Sequence, residues 1–165
     1  MLQLLSIFLN FPDNRLKNSL TNDILLKSNS LEYHKTLEEY AETPLYDLKN
    51  LSRELNVGKI YVKDESKRFN LNAFKGLGAS YAVHKALSLY PNISVFCTAT
   101  DGNHGRAVAW SAAKHNKKAV IYVPKQTTDA RIKAIADHGS EVIQLDLNYE
   151  DTCQYASNIS KKMNW

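Results

Sequence analysis

Lys75 lies in the run "LNAFKGLGAS", residues 71 to 80, where a basic side chain interrupts an apolar stretch and is followed by Gly76 and Gly78. Each glycine inside a helix costs about 1 kcal/mol relative to alanine, so the pair costs about 2 kcal/mol unless something needs the space. A close approach by another element or by a ligand meets that need. In the first turn of a helix the positive end of the dipole disfavours an ammonium, and only a neutral amine attacks a carbonyl. A lysine at a helix start among apolar neighbours is thus placed for imine chemistry. The alternative is that Lys75 snorkels to solvent and the glycines only allow tight helix packing.

A second group of chemistry-bearing residues follows in "TATDGNHG", residues 98 to 105. Gly102 and Gly105 let the backbone come close to a ligand, while Asp101, Asn103 and His104 supply a carboxylate, an amide and an imidazole at neighbouring positions. An amide can hydrogen-bond a phenolic oxygen, and a carboxylate can act as a general base. The alternative here is an Asx-type turn with Asn103 as a cap.

The surrounding pattern must bring these two segments together. "TPLYDLKNLSRELNV" opens with a Thr-Pro helix-start signal and carries Leu45, Leu48, Leu51 and Leu55 at helical spacing, so it predicts a helix that Gly58 ends. The strand "KIYVKD" follows, then the charged loop "ESKRFNLN" and a helix from about Ala73 to Tyr90. "ISVFCTAT", "KAVIYVP" and "EVIQLD" read as further strands, separated by the helices "RAVAWSAAKHN" and "TTDARIKAIADHG". "NYEDTCQYASNISKKMN" is the last helix. Strands alternating with helices imply an α/β fold: an open, largely parallel sheet with helices on both faces. Ligands of such sheets bind beyond the carboxyl ends of the strands, and both segments lie on that edge. In the charged loop, Asp64, Glu65, Lys67 and Arg68 read as a solvated face with substrate contact as the alternative, and Lys63 either pairs with Asp64 or faces water.

Composition sets the class. The chain has 165 residues, 44% hydrophobic and 23% charged, enough to bury a sizeable core in one domain. Residues 1–42 have weak periodicity and read as an N-terminal extension, with 43–165 forming the regular α/β part. Lys and Arg number 21 against 17 Asp and Glu, and the net charge of +4 is spread along the chain without a basic block, which argues against a nucleic-acid module. Cys97 and Cys153 show no CxxC or ligand spacing, so no metal site is predicted and a reduced, cytoplasmic setting fits. The opening "MLQLLSIFLNF" is apolar but much shorter than the about 20 residues of a membrane span, and it reads as a docking segment.

Taken together, "KDESKRFNLNAFKGLGAS" and "TATDGNHGRAVAW" resemble the diaminopropionate ammonia-lyases, a branch of the fold type II pyridoxal-phosphate enzymes of the tryptophan synthase β group. The resemblance runs from about Thr43 to Trp165 and includes "YVPK" and "GSEVIQLDLNYEDT". Threonine dehydratases and cysteine synthases share a lysine in a similar place, but their turn normally carries Ser where this chain has Asp101. The resemblance implies that pyridoxal 5'-phosphate is the cofactor, that Lys75 holds it as an imine and that Asn103 hydrogen-bonds its ring hydroxyl. It also implies that Asp101 takes the α-proton from the D-isomer of the substrate and Lys75, once released, from the L-isomer, with His104 shaping the turn. The implied reaction is α,β-elimination of 2,3-diaminopropionate to pyruvate and ammonia, in a homodimer acting on a small amino acid.

Two departures qualify that expectation. Position 70 is Asn where the family usually has Gly, and Asn tolerates the left-handed backbone better than most residues. The chain is also less than half the family's length and holds no other glycine-rich loop for the cofactor phosphate, so it reads as the N-terminal portion of such a lyase, with low or no activity alone. Two readings compete: a serine or threonine dehydratase-like enzyme of the same group, and an inactive fragment that docks on a partner.

Overall fold

The computed structural model describes residues 28–165, so the expected docking segment at the N-terminus falls outside the described residues. The chain divides into two units, Met1–Asp64 and Glu65–Trp165.

In the first unit, helix α1 (Ser30–Lys35) precedes a two-stranded antiparallel ribbon of β1 (Leu45–Asp47) and β2 (Tyr61–Lys63), with helix α2 (Lys49–Glu54) between the strands. The ribbon corrects two sequence expectations. Residues 43–57 are not one helix, because the backbone of Leu45–Asp47 pairs with Tyr61–Lys63, and Leu45 and Leu55 point to solvent rather than forming a buried stripe. Helical spacing alone is a weak prior, and strand pairing overrides it here. For the same reason "KIYVKD" joins this antiparallel ribbon and not the parallel sheet. Buried Ser52 fastens α2 to the ribbon by donating to Leu48 O at 3.1 Å and accepting from the Ile60 N–H at 2.9 Å. Lys63 donates to Thr43 O, so it does not face water only.

The second unit is the α/β layer structure. Its parallel sheet has the order β3 (Val95–Ala99), β4 (Lys118–Pro124), β5 (Glu141–Leu145), with Thr98 opposite Ile121 and Ile121 opposite Val142. Helices α3 (Lys75–Leu89), α4 (Asn103–Lys114), α5 (Asp129–Ala136) and α6 (Tyr149–Met163) connect and cover it. Central β4 is buried from Ala119 to Pro124, as a strand covered on both faces requires. Alternation along it divides the core. Val120 and Tyr122 pack with Ala156 and Ile159 of α6 on one face, and Ile121 meets the start of α4 on the other. Helix α3 packs along α4. Strand β3 is an edge of this sheet, and none of its five residues is fully buried.

Local signals explain the helix ends. The Asn148 side chain caps α6 by accepting from the Asp151 N–H at 2.8 Å, and Asn164 closes it in the left-handed conformation at φ 55°. Helix α4 begins earlier than its apolar pattern indicates: Asn103, His104 and Gly105 are its first turn and not part of a loop.

Candidate functional site

Two segments frame the site. The first is the 3-10 turn Glu65–Asn70 and the loop leading into α3. Phe69 and Asn70 adopt φ 50° and 57°, and Asn72 follows at 52°. Non-glycine residues in this region cost of the order of 1 kcal/mol each, and a bulky aromatic there is an outlier. Compensating contacts hold it. The Phe69 ring, 4% exposed, stacks on Trp110 of α4 with centroids 4.9 Å apart. Arg68 is buried and grips Glu65 with both arms, Nε to Oε2 at 2.8 Å and Nη2 to Oε1 at 3.0 Å. This corrects the reading of Glu65 and Arg68 as a solvated face: the pair is a strut inside the turn. Asn70 occupies the left-handed region that its side chain tolerates.

Lys75 is the first residue of α3, as its position after the loop predicts, but its side chain is exposed rather than wedged among apolar groups. Its ammonium lies 5.2 Å from the centroid of the Phe74 ring. The two following glycines serve different ends. A Cβ on Gly76 would come within 2.7 Å of Phe69 Cδ2 and 3.0 Å of Leu71 Cδ1, so Gly76 is there for packing and not for a ligand. Gly78 has nothing within 4 Å of the same construction and forms bare wall in a cleft of about 570 Å³. Lys75, Phe74, Phe96, Thr98 and His104 line the same cleft.

The second segment is the turn from β3 into α4. Buried Thr100 shapes it: the hydroxyl accepts from the N–H groups of Gly102 at 3.0 Å and Gly105 at 3.1 Å, while the Thr100 N–H donates to Tyr122 O. Gly105 leaves no room for a ligand, because a Cβ would lie 2.2 Å from Thr100 Cγ2 and 2.8 Å from Ile121 Cγ2. Its need is close helix-to-sheet packing, which corrects the expectation that it lets backbone approach a ligand. Asn103 is half-buried at the first position of α4. Asp101 is exposed and lies toward α5, where Arg131 donates to its backbone O at 3.1 Å and stands 3.9 Å from its carboxylate.

The structure thus brings Lys75 and His104 to one cleft, seats Asn103 beside His104, and leaves Asp101 outside the cleft lining. Although His104 is an exposed residue, partial desolvation and after it the Lys75 ammonium draw its imidazole below its ordinary value, which favours the neutral ring at neutral pH. His104 also lines a second cleft of about 360 Å³ beneath α6, with Cys97, Tyr149 and Cys153. There burial pushes the Cys97 thiol up, and a hydrogen bond with Cys153 leads the causes that raise Tyr149. Among the described residues no group of three or more His, Cys, Asp or Glu side chains could hold a metal ion. The cleft suits a flat aromatic aldehyde: a primary amine stands at an apolar wall that Gly78 keeps free of side chain.

Arg106 is the residue that sequence reasoning missed. Its guanidinium donates to Leu71 O at 3.1 Å, Asn70 O at 3.4 Å and His138 Nε2 at 3.3 Å, tying α4 to the loop before Lys75. The only local signal is that the arginine closes the "TDGNHGR" run.

With this geometry in view, residues 36–165 match the family described as pyridoxal-phosphate dependent enzyme. The chain belongs to that family. Its cofactor is pyridoxal phosphate. Among curated relatives, the diaminopropionate ammonia-lyase of Salmonella typhimurium is 45% identical over 156 residues, covering 82% of this chain and 39% of that protein. The enzyme of the same name from Escherichia coli K12 is 36% identical, covering 97% of this chain and 45% of its own length. The chain therefore spans less than half the length of these relatives. A crystal structure of the Escherichia coli enzyme in complex with an aminoacrylate-PLP azomethine reaction intermediate superposes with a TM-score of 0.78 at 40% identity, over 82% of this chain and 38% of that one. Escherichia coli L-threonine dehydratase is more distant, at 32% identity over 73% of this chain. Among the described residues no helix is long and apolar enough to cross a membrane.

Proposed function

We propose that this chain carries the lysine-bearing part of a diaminopropionate ammonia-lyase site, converting 2,3-diaminopropionate to pyruvate and ammonia. The observation that carries the reading is the placing of Lys75 and His104 on one apolar cleft within a chain 45% identical to such a lyase. When bound, pyridoxal phosphate supplies an electron sink for the carbanion left by the departing α-proton.

Lys75 supplies the amine that holds the cofactor aldehyde, and Gly78 gives the ring a wall without side chain. Asn103, at the start of α4, offers its amide to the ring hydroxyl. Neutral His104 stands beside Lys75 with a nitrogen able to accept a proton. Asp101 is the base for the D-isomer, and Lys75, once free, for the L-isomer; the role of Asp101 rests on the motif, since its carboxylate does not line the cleft. The residues assigned here lie within 43–165, with 1–42 as an extension. The assembled enzyme is a cytoplasmic homodimer, a reading carried by the family resemblance and by the absence of any paired-cysteine motif.

The test is release of pyruvate and ammonia from D- and L-diaminopropionate by this chain combined with pyridoxal phosphate and a C-terminal half supplied from a longer relative, beside Lys75→Ala and Asp101→Asn. Product formation lost in Lys75→Ala, with Asp101→Asn impaired on the D-isomer alone, supports the assignment. Faster turnover of threonine or serine than of diaminopropionate overturns it in favour of a dehydratase.

A further inference from the structure

Lys75 follows a strained loop that draws support from outside as well as from its own Arg68–Glu65 pair. Phe69, Asn70 and Asn72 all sit at positive φ, a region that residues bearing a side chain adopt at a cost. The carbonyls of Asn70 and Leu71 turn outward from this loop, and both are taken by Arg106 of α4. The third arm of the same guanidinium donates to His138 Nε2 just beyond α5, which fixes the plane of the fork. His138 can accept only while neutral. Burial and then Arg106 itself hold its imidazole below the ordinary value, against the opposing pull of Asp137. A planar fork with three fixed acceptors is a geometric device that a lysine at the same place cannot reproduce.

We propose that Arg106 is a positioning residue for Lys75: it clamps the strained 69–72 loop and so sets where the amine enters the cleft. The proposal rests on the reading of Lys75 as the cofactor amine. Arg106 is not among the residues that line the cleft, and its side chain reaches the segment before Lys75 through the Asn70 and Leu71 carbonyls.

The experiment titrates the chain with pyridoxal phosphate and follows the visible absorbance of the lysine imine in the unaltered protein, Lys75→Ala, Arg106→Lys and Arg106→Ala, with far-ultraviolet circular dichroism on each. The proposal expects apparent affinity to fall about tenfold in Arg106→Ala and about threefold in Arg106→Lys, since a small displacement of a reacting group has effects of this order. It also expects added guanidinium to recover binding in Arg106→Ala, which a merely structural defect would not permit. Affinity within twofold of the unaltered chain in both Arg106 variants overturns the proposal. If Arg106→Ala does not fold, Arg106→Lys decides, because it keeps the charge and most of the stem. Imine absorbance that survives in Lys75→Ala shows that another amine is responsible; the reading of Lys75 then fails and takes the proposal with it, an outcome distinct from intact Lys75 binding that ignores Arg106.

Discussion

The two segments that lead into the cleft are held by different means. The turn from β3 into α4 is fixed by contact at the atomic limit: Gly105 lies against Thr100 and Ile121 with no space for a methyl, and one hydroxyl takes two N–H groups. The loop into α3 is fixed at a distance, by an arginine reaching its carbonyls and by an aromatic stack over a backbone in an unfavourable conformation. The first has no slack. The second can move if its outside supports are removed.

The contrast is sharpest at the glycines. Gly105→Ala forces a methyl against buried side chains on a covered strand, and overpacking of that kind costs about 3 kcal/mol, to be read from urea unfolding. Thr100→Val leaves the Gly102 and Gly105 N–H groups without their acceptor, at a cost of about 2 kcal/mol in the same measurement. Gly76→Ala pushes on the Phe69 ring, itself fixed against Trp110, and its gain in helix propensity offsets part of the clash, leaving a loss of about 1 kcal/mol. Gly78→Ala has the opposite sign. With nothing near the new methyl it stabilises α3 by about 0.5 kcal/mol, while narrowing the cleft and weakening pyridoxal phosphate binding. A destabilising Gly78→Ala, or a harmless Gly105→Ala, would reverse the division of roles drawn here.

The smallest effect is that of pH. The folded chain depresses His138, first by burial and then through Arg106, so between its folded value and the ordinary value of 6.5 the unfolded chain binds more protons than the folded one. That contribution is constant above pH 6.5 and is lost as pH falls below it. Thermal unfolding is therefore expected at lower temperature at pH 5.5 than at pH 7.5, and His138→Gln, which keeps an acceptor for Arg106, flattens part of the fall. His104 and His115, both depressed first by desolvation, act in the same direction.

What the sequence revealed follows from the range of the forces involved. Strands β3, β4 and β5 were legible because uninterrupted apolar, β-branched runs have few other uses, and Lys75 was placed correctly at a helix start by the loop before it. The β1 and β2 ribbon was not legible, since helical leucine spacing over residues 45–55 competes with a pairing that only the distant Tyr61–Lys63 reveals. The glycine runs pointed to the right region but hid the distinction between packing and opening, because the atoms that decide it, on Phe69, Thr100 and Ile121, come from other elements. Arg68 looked like surface charge and Arg106 drew no reading of its own for the same reason: their partners are carbonyls and a carboxylate that no local period encodes. His104 gained weight only when the fold set it beside Lys75.

The central claim is that Lys75 is the amine this chain offers to its cofactor. The most direct test adds pyridoxal phosphate to the purified chain, reduces with borohydride and maps the modified lysine by peptide mass, with Lys75→Ala in parallel. The account predicts label concentrated on Lys75, well above an exposed lysine such as Lys125, and lost in the variant. Label scattered evenly over Lys125, Lys133 and the other surface lysines would contradict it.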